Sequence, residues 1–213
     1  MIAYEIKVDQ AQIEDARSLF EFVGGNSDDA LRIAINKTSP KIRTAASAAI
    51  RTQVRLPAAY VKERMIIRKA SRKNLTGAIT TPSRGLLLSR FSTDPLISGD
   101  KVGWIRPPLI PTGGIKIKIK PSGGTSGAPG LDGNRPFYML LNKGANVGIV
   151  ARIGSGRSVK VFAGPSLSQV FSTVRSDVMP EAGEELTSQL LDAMRYLLVK
   201  QSPAEPVIEA PVQ

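Results

Sequence analysis

Apolar residues recur along this chain at two periods, and the switch between them divides it into elements. Over residues 2–8, Ile2, Tyr4, Ile6 and Val8 alternate with Ala3, Glu5 and Lys7. A period of two predicts a strand with one apolar face. Residues 11–22 place Ile13, Ala16, Leu19 and Phe20 at helical spacing, and Gly24-Gly25 closes that short helix. Ser27 is suited to cap the next helix, with Asp28 and Asp29 in its first turn, where the helix dipole favours acids. Its apolar stripe runs through Leu31, Ala34 and Ile35, then Ile42, Ala45, Ala46, Ala49, Ile50 and Val54. Pro40 either kinks one long helix or opens a second with Ser39 as cap. The stripe is narrow and rich in alanine, so whatever packs on it approaches closely. Leu56-Pro57 ends the run, residues 57–66 read as one or two further helical turns, and periodicity leaves 65–73 open between strand and helix.

The second half is predominantly extended. Residues 75–80 and 84–91 read as extended, and 101–106 (KVGWIR) as a strand stopped by Pro107-Pro108. Residues 115–120 give the clearest alternation: Ile115, Ile117 and Ile119 on one face, Lys116, Lys118 and Lys120 on the other. Such lysines either blunt an exposed sheet edge, which is their commoner use, or form a basic rail facing a polyanion. Residues 121–136 are dense in Gly, Ser and Pro, with Gly123, Gly124, Gly127 and Gly130 among them. A loop of that length suggests a flexible arm that orders on a neighbouring subunit. Strands follow at 136–142, 147–153 and 158–162, with GSGR at 154–157 closing a hairpin. Ala163-Gly164-Pro165-Ser166-Leu167 reads as a strand-to-helix corner with Ser166 as cap. Leu167, Val170, Phe171, Val174 and Val178 share one helix face. Pro180 starts or kinks a last helix with Leu186, Leu190, Leu191, Met194, Leu197 and Leu198. Together these elements predict an α+β fold in which a mostly antiparallel β-sheet is packed by a long N-terminal helix and a C-terminal helix. Residues 1–201 form one domain in this reading, and 202–213 an extended, Pro-rich acidic tail.

Charge sharpens the picture. Of the net +11, residues 31–164 supply +20, while residues 1–30 carry −5 and 165–213 carry −4. The stretch Leu31–Lys73 alone holds twelve Lys or Arg against one acid, Glu63. A basic middle between acidic ends implies either a polyanion facing the middle or an acidic end of another subunit docking there. Arg43, Arg51 and Arg55 on the central helix, with Lys116, Lys118 and Lys120, are the candidate contacts to DNA or to an acidic neighbour.

The chain has neither cysteine nor histidine. That removes disulfides, zinc sites and the usual nucleophile–base pairs, so no metal or cofactor is expected. The loop at 121–136 lacks the phosphate-binding GxxxxGK[ST] pattern, and Gly154-x-Gly156 is a turn. Glu63 and Asp100 stand alone as candidate general acids, which places an enzyme last among the readings. No apolar run approaches the ~18 residues of a membrane span. Cations on Ala-rich helices with few aromatics suit sequence-independent backbone contact. No DNA-reading fingerprint accompanies them.

Ala34-Ile35-Asn36-Lys37-Thr38, the Ala/Arg run Ile42–Arg51, Leu56-Pro57 and the stretch from Val61-Lys62-Glu63-Arg64 to Ser71-Arg72 carry a family resemblance. With Gly164-Pro165-Ser166-Leu167 and Val170-Phe171 opening a closing helix, the chain resembles the prophage minor tail protein Z family over roughly residues 28–178. The resemblance implies a non-enzymatic virion protein of a tailed phage, assembled in the host cytoplasm. It implies a neck or tail-completion subunit that forms a ring, commonly hexameric, at the head-proximal end of the tail around the DNA channel. The implied partners are its own copies, neighbouring terminator, tail-tube and connector proteins, and non-specifically held DNA. The other reading compatible with the charge is a free-standing, sequence-independent architectural DNA-binding protein.

Overall fold

A computed structural model describes residues 2–5, 27–93, 111, 113–141 and 146–201. The expected helix at 11–22, the strand at 101–106 and the tail at 202–213 lie outside these residues. The described elements are α+β. Three α-helices, α1 (Ser27–Gln53), α2 (Ala58–Arg64) and α3 (Leu167–Gln201), accompany a 3-10 turn, η1 (Leu88–Phe91). Ten short strands are β1 (Ile2–Glu5), β2 (Ile66–Arg68), β3 (Ala78–Thr81), β4 (Gly85–Leu87) and β5 (Lys116–Ile117), then β6 (Ser126–Gly127), β7 (Phe137–Leu141), β8 (Asn146–Arg152), β9 (Val159–Val161) and β10 (Ala163–Ser166). They form four small sheets, ordered β1-β3-β2, β10-β4, β5-β6 and β7-β8-β9. The last three are antiparallel.

Both long helices run through their prolines. Pro40 lies inside α1 and Pro180 inside α3, so each proline sits within one continuous helix and neither opens a new one. A proline removes one helical donor, and packing on either side outweighs that loss here. The start of α3 is a reciprocal cap. The Ser166 hydroxyl accepts the Gln169 N–H at 3.1 Å, and the Gln169 side-chain oxygen accepts the Ser166 N–H at 3.0 Å. Two otherwise unpaired donors are thereby satisfied. Residues 84–91 are extended only over Gly85–Leu87, after which the chain tightens into η1.

The chain groups into two compact units. The first comprises 1–3, 43–66 and 80–178, and the second 4–42, 67–79 and 179–213. In the first, the buried apolar set includes Ile50, Val61, Met65, Phe91, Tyr138, Ile149, Val150 and Leu167. The buried Tyr138 hydroxyl and the buried Ser92 hydroxyl satisfy each other at 2.7 Å. The Ser89 hydroxyl donates to the Val147 carbonyl, fastening η1 to β8. At the corner before α3, a Cβ on Gly164 would sit 2.7 Å from the ring of Phe91, which is itself fully buried. Gly164→Ala is therefore expected to cost about 1–3 kcal/mol, the usual cost of overpacking a filled core, read as a lowered urea midpoint at unchanged slope.

In the second unit, small residues of α1 meet large ones of α3. Ala30 and Ala34 pack with Leu186, Leu190, Ala193 and Met194, flanked by Leu31, Ile33, Ile35, Leu197 and Leu198. Ala30 and Ala34 thus face a helix, and their lack of side-chain bulk permits close approach. Residues 67–79 are fastened to the first half of α1. The Asn36 side chain donates to the Ala70 carbonyl at 3.0 Å and accepts the Ala70 N–H at 2.8 Å. Asp29 accepts from Arg32 at 3.1 Å and from Arg72 at 3.3 Å. Gly77 lies against Ile35 and Ser39, where a Cβ would collide with the Ile35 side chain.

Two carboxylates of this unit sit below their ordinary range. Hydrogen bonds from Arg72 and then Arg32 hold Asp29 down, and the Lys41 ammonium holds Glu185 down. A depressed folded pKa stabilises above the unfolded value and loses that contribution as pH falls through the folded value. The melting temperature is expected to decline as pH drops below about 4.5, the ordinary value for Glu185. Both carboxylates are half-buried and their partners Arg72 and Lys41 are exposed, so the effect is small and screened by salt. Asp29→Asn combined with Glu185→Gln should flatten part of that slope in melts across pH 6 to pH 3.

Candidate functional site

The basic residues singled out from the sequence fall into distinct settings. Arg51 is exposed near the end of α1. Arg55 is exposed too, but it lies beyond the helix, which ends at Gln53. Arg43 is half-buried, and its Nε is enclosed without a hydrogen-bond partner. Arg43 is thus the least accessible of the three arginines.

The Ile/Lys alternation is clear over 115–117 and fades at Lys118 and Ile119, which are both half-buried. Ile115 and Ile117 are buried, Lys116 and Lys120 are exposed, and Lys118 is intermediate. The segment is not a sheet edge. On one side Lys116 and Ile117 pair with Gly127 and Ser126, and Ile115 accepts from Ala128 at 2.7 Å. On the other, the Lys116 carbonyl accepts the Thr93 N–H at 3.0 Å and the Lys118 N–H donates to Phe91 at 2.8 Å. Edge protection therefore does not account for these lysines; they line the outward face of a segment paired on both sides.

The same pairing gathers cations from distant parts of the chain. The Arg55 N–H donates to the Ile119 carbonyl at 2.7 Å, which sets Arg55 beside Lys118 and Lys120. The Phe91–Lys118 bond brings Arg90 of η1 to the same place. Arg55 leads through Leu56-Pro57 into α2, whose Tyr60 receives two guanidinium groups over its ring. Arg64 lies 3.7 Å from the ring centroid and Arg90 lies 4.9 Å from it. Tyr60, Arg64 and Arg90 were not singled out from the sequence. Tyr60 and Arg64 are legible as an i,i+4 pair in a helix, whereas Arg90 arrives only through the fold.

The charge of this surface is nearly uncompensated. The described residues of the first unit hold fifteen Lys or Arg against three acids: Glu63, Asp132 and Asp177. Among the described residues, Arg51, Arg55, Arg90, Lys116, Lys118 and Lys120 have no carboxylate within ion-pair distance. Glu63 pairs with Arg64 at 3.5 Å.

Gly123, Gly127 and Gly130 make close contacts within the chain. Gly127 pairs with Lys116, and the Gly123 N–H closes a turn on the Lys120 carbonyl at 3.2 Å. Gly124 is exposed, and Gly130 lies where a Cβ would sit 2.7 Å from the Asn134 carbonyl. Leu131 and Asn134 exchange backbone hydrogen bonds across Asp132 (φ 49°) and Gly133 (φ 77°). That left-handed pair makes a tight hairpin turn. Asn134 donates to the Arg152 and Gly154 carbonyls, and Asp132 accepts from the Gly154 N–H, which latches the loop to the β8–β9 turn.

No cluster of metal-ligating side chains occurs among the described residues, and none of their helices is long and apolar enough to cross a membrane. The arrangement presents charge in fixed positions on the described residues. No curated protein and no solved structure matches the chain. The model of one protein family does match, along residues 17–201, and on that extent the chain belongs to the prophage minor tail protein Z (GPZ) family of phage tail structural proteins.

Proposed function

We propose that this tail protein is a ring-forming subunit at the head-proximal end of the phage tail, where it helps join head and tail around the DNA channel. The observation that carries this reading is the surface of Arg51, Arg55, Arg90, Lys116, Lys118 and Lys120, which the described residues leave without acidic partners. A channel that passes DNA needs positive charge without base readout, because phosphate contacts position the duplex and carry no sequence information. Ring closure needs two complementary patches on each subunit. The basic middle of the chain and its acidic flanks supply two such signs of charge. Neighbouring tail, terminator and connector proteins are its partners in this reading.

Light scattering on the purified protein, alone and with tail components, tests the ring. A closed oligomer is expected, and a strict monomer at high concentration with partners present would reject it. Electron microscopy of labelled particles should place the protein at the tail end nearest the head. Replacing Lys116, Lys118 and Lys120 together by alanine should lower the dependence of duplex affinity on salt by about 0.9 per lysine in contact. An unchanged slope would remove these lysines from the DNA surface.

A further inference from the structure

We infer that Tyr60 holds Arg64 and Arg90 as a paired-guanidinium grip on the phosphodiester backbone of DNA, an assignment that rests on the DNA-contact reading above. The two guanidinium carbons lie 3.7 and 4.9 Å from the Tyr60 ring centroid. Attraction to a ring face orients a guanidinium without occupying its N–H edge or neutralising its charge. Its in-plane donors stay available for oxygens outside the protein. A carboxylate partner would consume both the charge and the donors. The one carboxylate at hand is Glu63, 3.5 Å from Arg64 and itself mostly exposed, and Arg90 has none among the described residues.

The neighbourhood favours a nucleic-acid backbone over an acidic protein. Arg90 adjoins Phe91, which receives the Lys118 N–H, and Arg55 is bonded to Ile119, so the grip continues into the lysine row. The large exposed apolar side chain next to α2 is Ile66, two residues past Arg64, and none belongs to α2, η1 or 115–120 among the described residues, so the surface holds a single apolar residue and no patch. A protein partner would be expected to meet an apolar patch at the centre of its interface. The ring of Tyr60 is already engaged by cations, so it positions charge and does not serve as a base-stacking platform.

The test uses the full-length protein and a fluorescent random-sequence duplex, titrated between 50 and 200 mM salt, with a melting curve for each variant. Arg64→Ala and Arg90→Ala should each weaken binding and lower the slope of log affinity against log salt by about 0.9. Tyr60→Phe should bind as the parent does. Tyr60→Leu, which keeps both charges, should weaken binding about two- to fivefold per guanidinium released with little change in slope. Glu63→Gln should tighten binding. Normal affinity and slope in both arginine variants, with binding lost on replacing Lys116, Lys118 and Lys120, would overturn the grip and leave the DNA reading standing. Parent-like binding by Tyr60→Leu, with loss in the arginine variants, would remove Tyr60 as the positioning residue. No duplex binding by the parent at 50 mM salt would overturn both readings. Tighter binding of polyglutamate than of duplex at equal charge would assign the surface to an acidic protein instead.

Discussion

Replacing Leu186 by alanine is expected to destabilise the protein by about 2–5 kcal/mol, the range for truncating a buried leucine. Leu186 is almost fully buried in the cluster formed with Ala30, Ala34, Leu190, Ala193 and Met194. The cost has two parts, the lost transfer free energy and the void left behind. Here the void persists. The facing positions on α1 are alanines, whose side chains are too short to reach into it, and α1 cannot move closer without disturbing Asn36 and Asp29. Leu186→Met, which conserves volume, should cost less than about 1.5 kcal/mol. Chemical denaturation of the three proteins checks the order. A Leu186→Ala variant as stable as the parent would show that the two helices do not pack through this residue.

Asn36→Ala is expected to cost about 2–4 kcal/mol. Its side-chain amide pairs with both polar groups of the Ala70 backbone, at 3.0 and 2.8 Å, as a neighbouring strand would. Truncation removes two hydrogen bonds of about 1 kcal/mol each. The N–H and carbonyl they served belong to a residue only 6% exposed, so a group that water does not reach raises the cost toward ~4 kcal/mol. Asn36→Asp is the sharper variant. A carboxylate still accepts the Ala70 N–H, but its other oxygen faces the Ala70 carbonyl, acceptor against acceptor. Asn36→Asp should therefore be destabilised at neutral pH and partly recover in acid, as the carboxyl gains a proton to donate. Stability of the aspartate variant independent of pH would refute the two-point pairing.

Asn36 also explains part of what the sequence displayed. It stands in the Ala34–Thr38 stretch that carries the family resemblance, and its task is to hold a distant backbone segment. Local features were legible because their causes are local. The Ile/Lys alternation of 115–120, the serine cap at 166 and the apolar stripes of α1 and α3 each follow from spacing within a few residues. The Asp132-Gly133 turn is equally local. Pro180 left two alternatives open, a new helix or a kink in one, because a proline's local cost is visible while the packing that offsets it is not.

The contact surface was legible by residue type and not by neighbourhood. Nothing in the chain announces that Arg55 bonds to Ile119, or that Arg90 reaches the ring of Tyr60. These meetings depend on backbone pairing between segments far apart in sequence. The same pairing shows why the lysine row is not an edge: the segments bonded beside it are 91–93 and 126–128. Arg43 was grouped with Arg51 and Arg55 by charge alone, and its burial separates it from them.

The packing of α1 on α3 also dictates an order of events during synthesis. Ala30 and Ala34 leave the ribosome more than 150 residues ahead of Leu186 and Leu190, the side chains that cover them. At typical elongation rates of about 5–20 residues per second, α1 spends about 8–30 seconds with that face bare. A nascent chain stalled before residue 186 should be a ready client for chaperones, and one released after residue 201 should not.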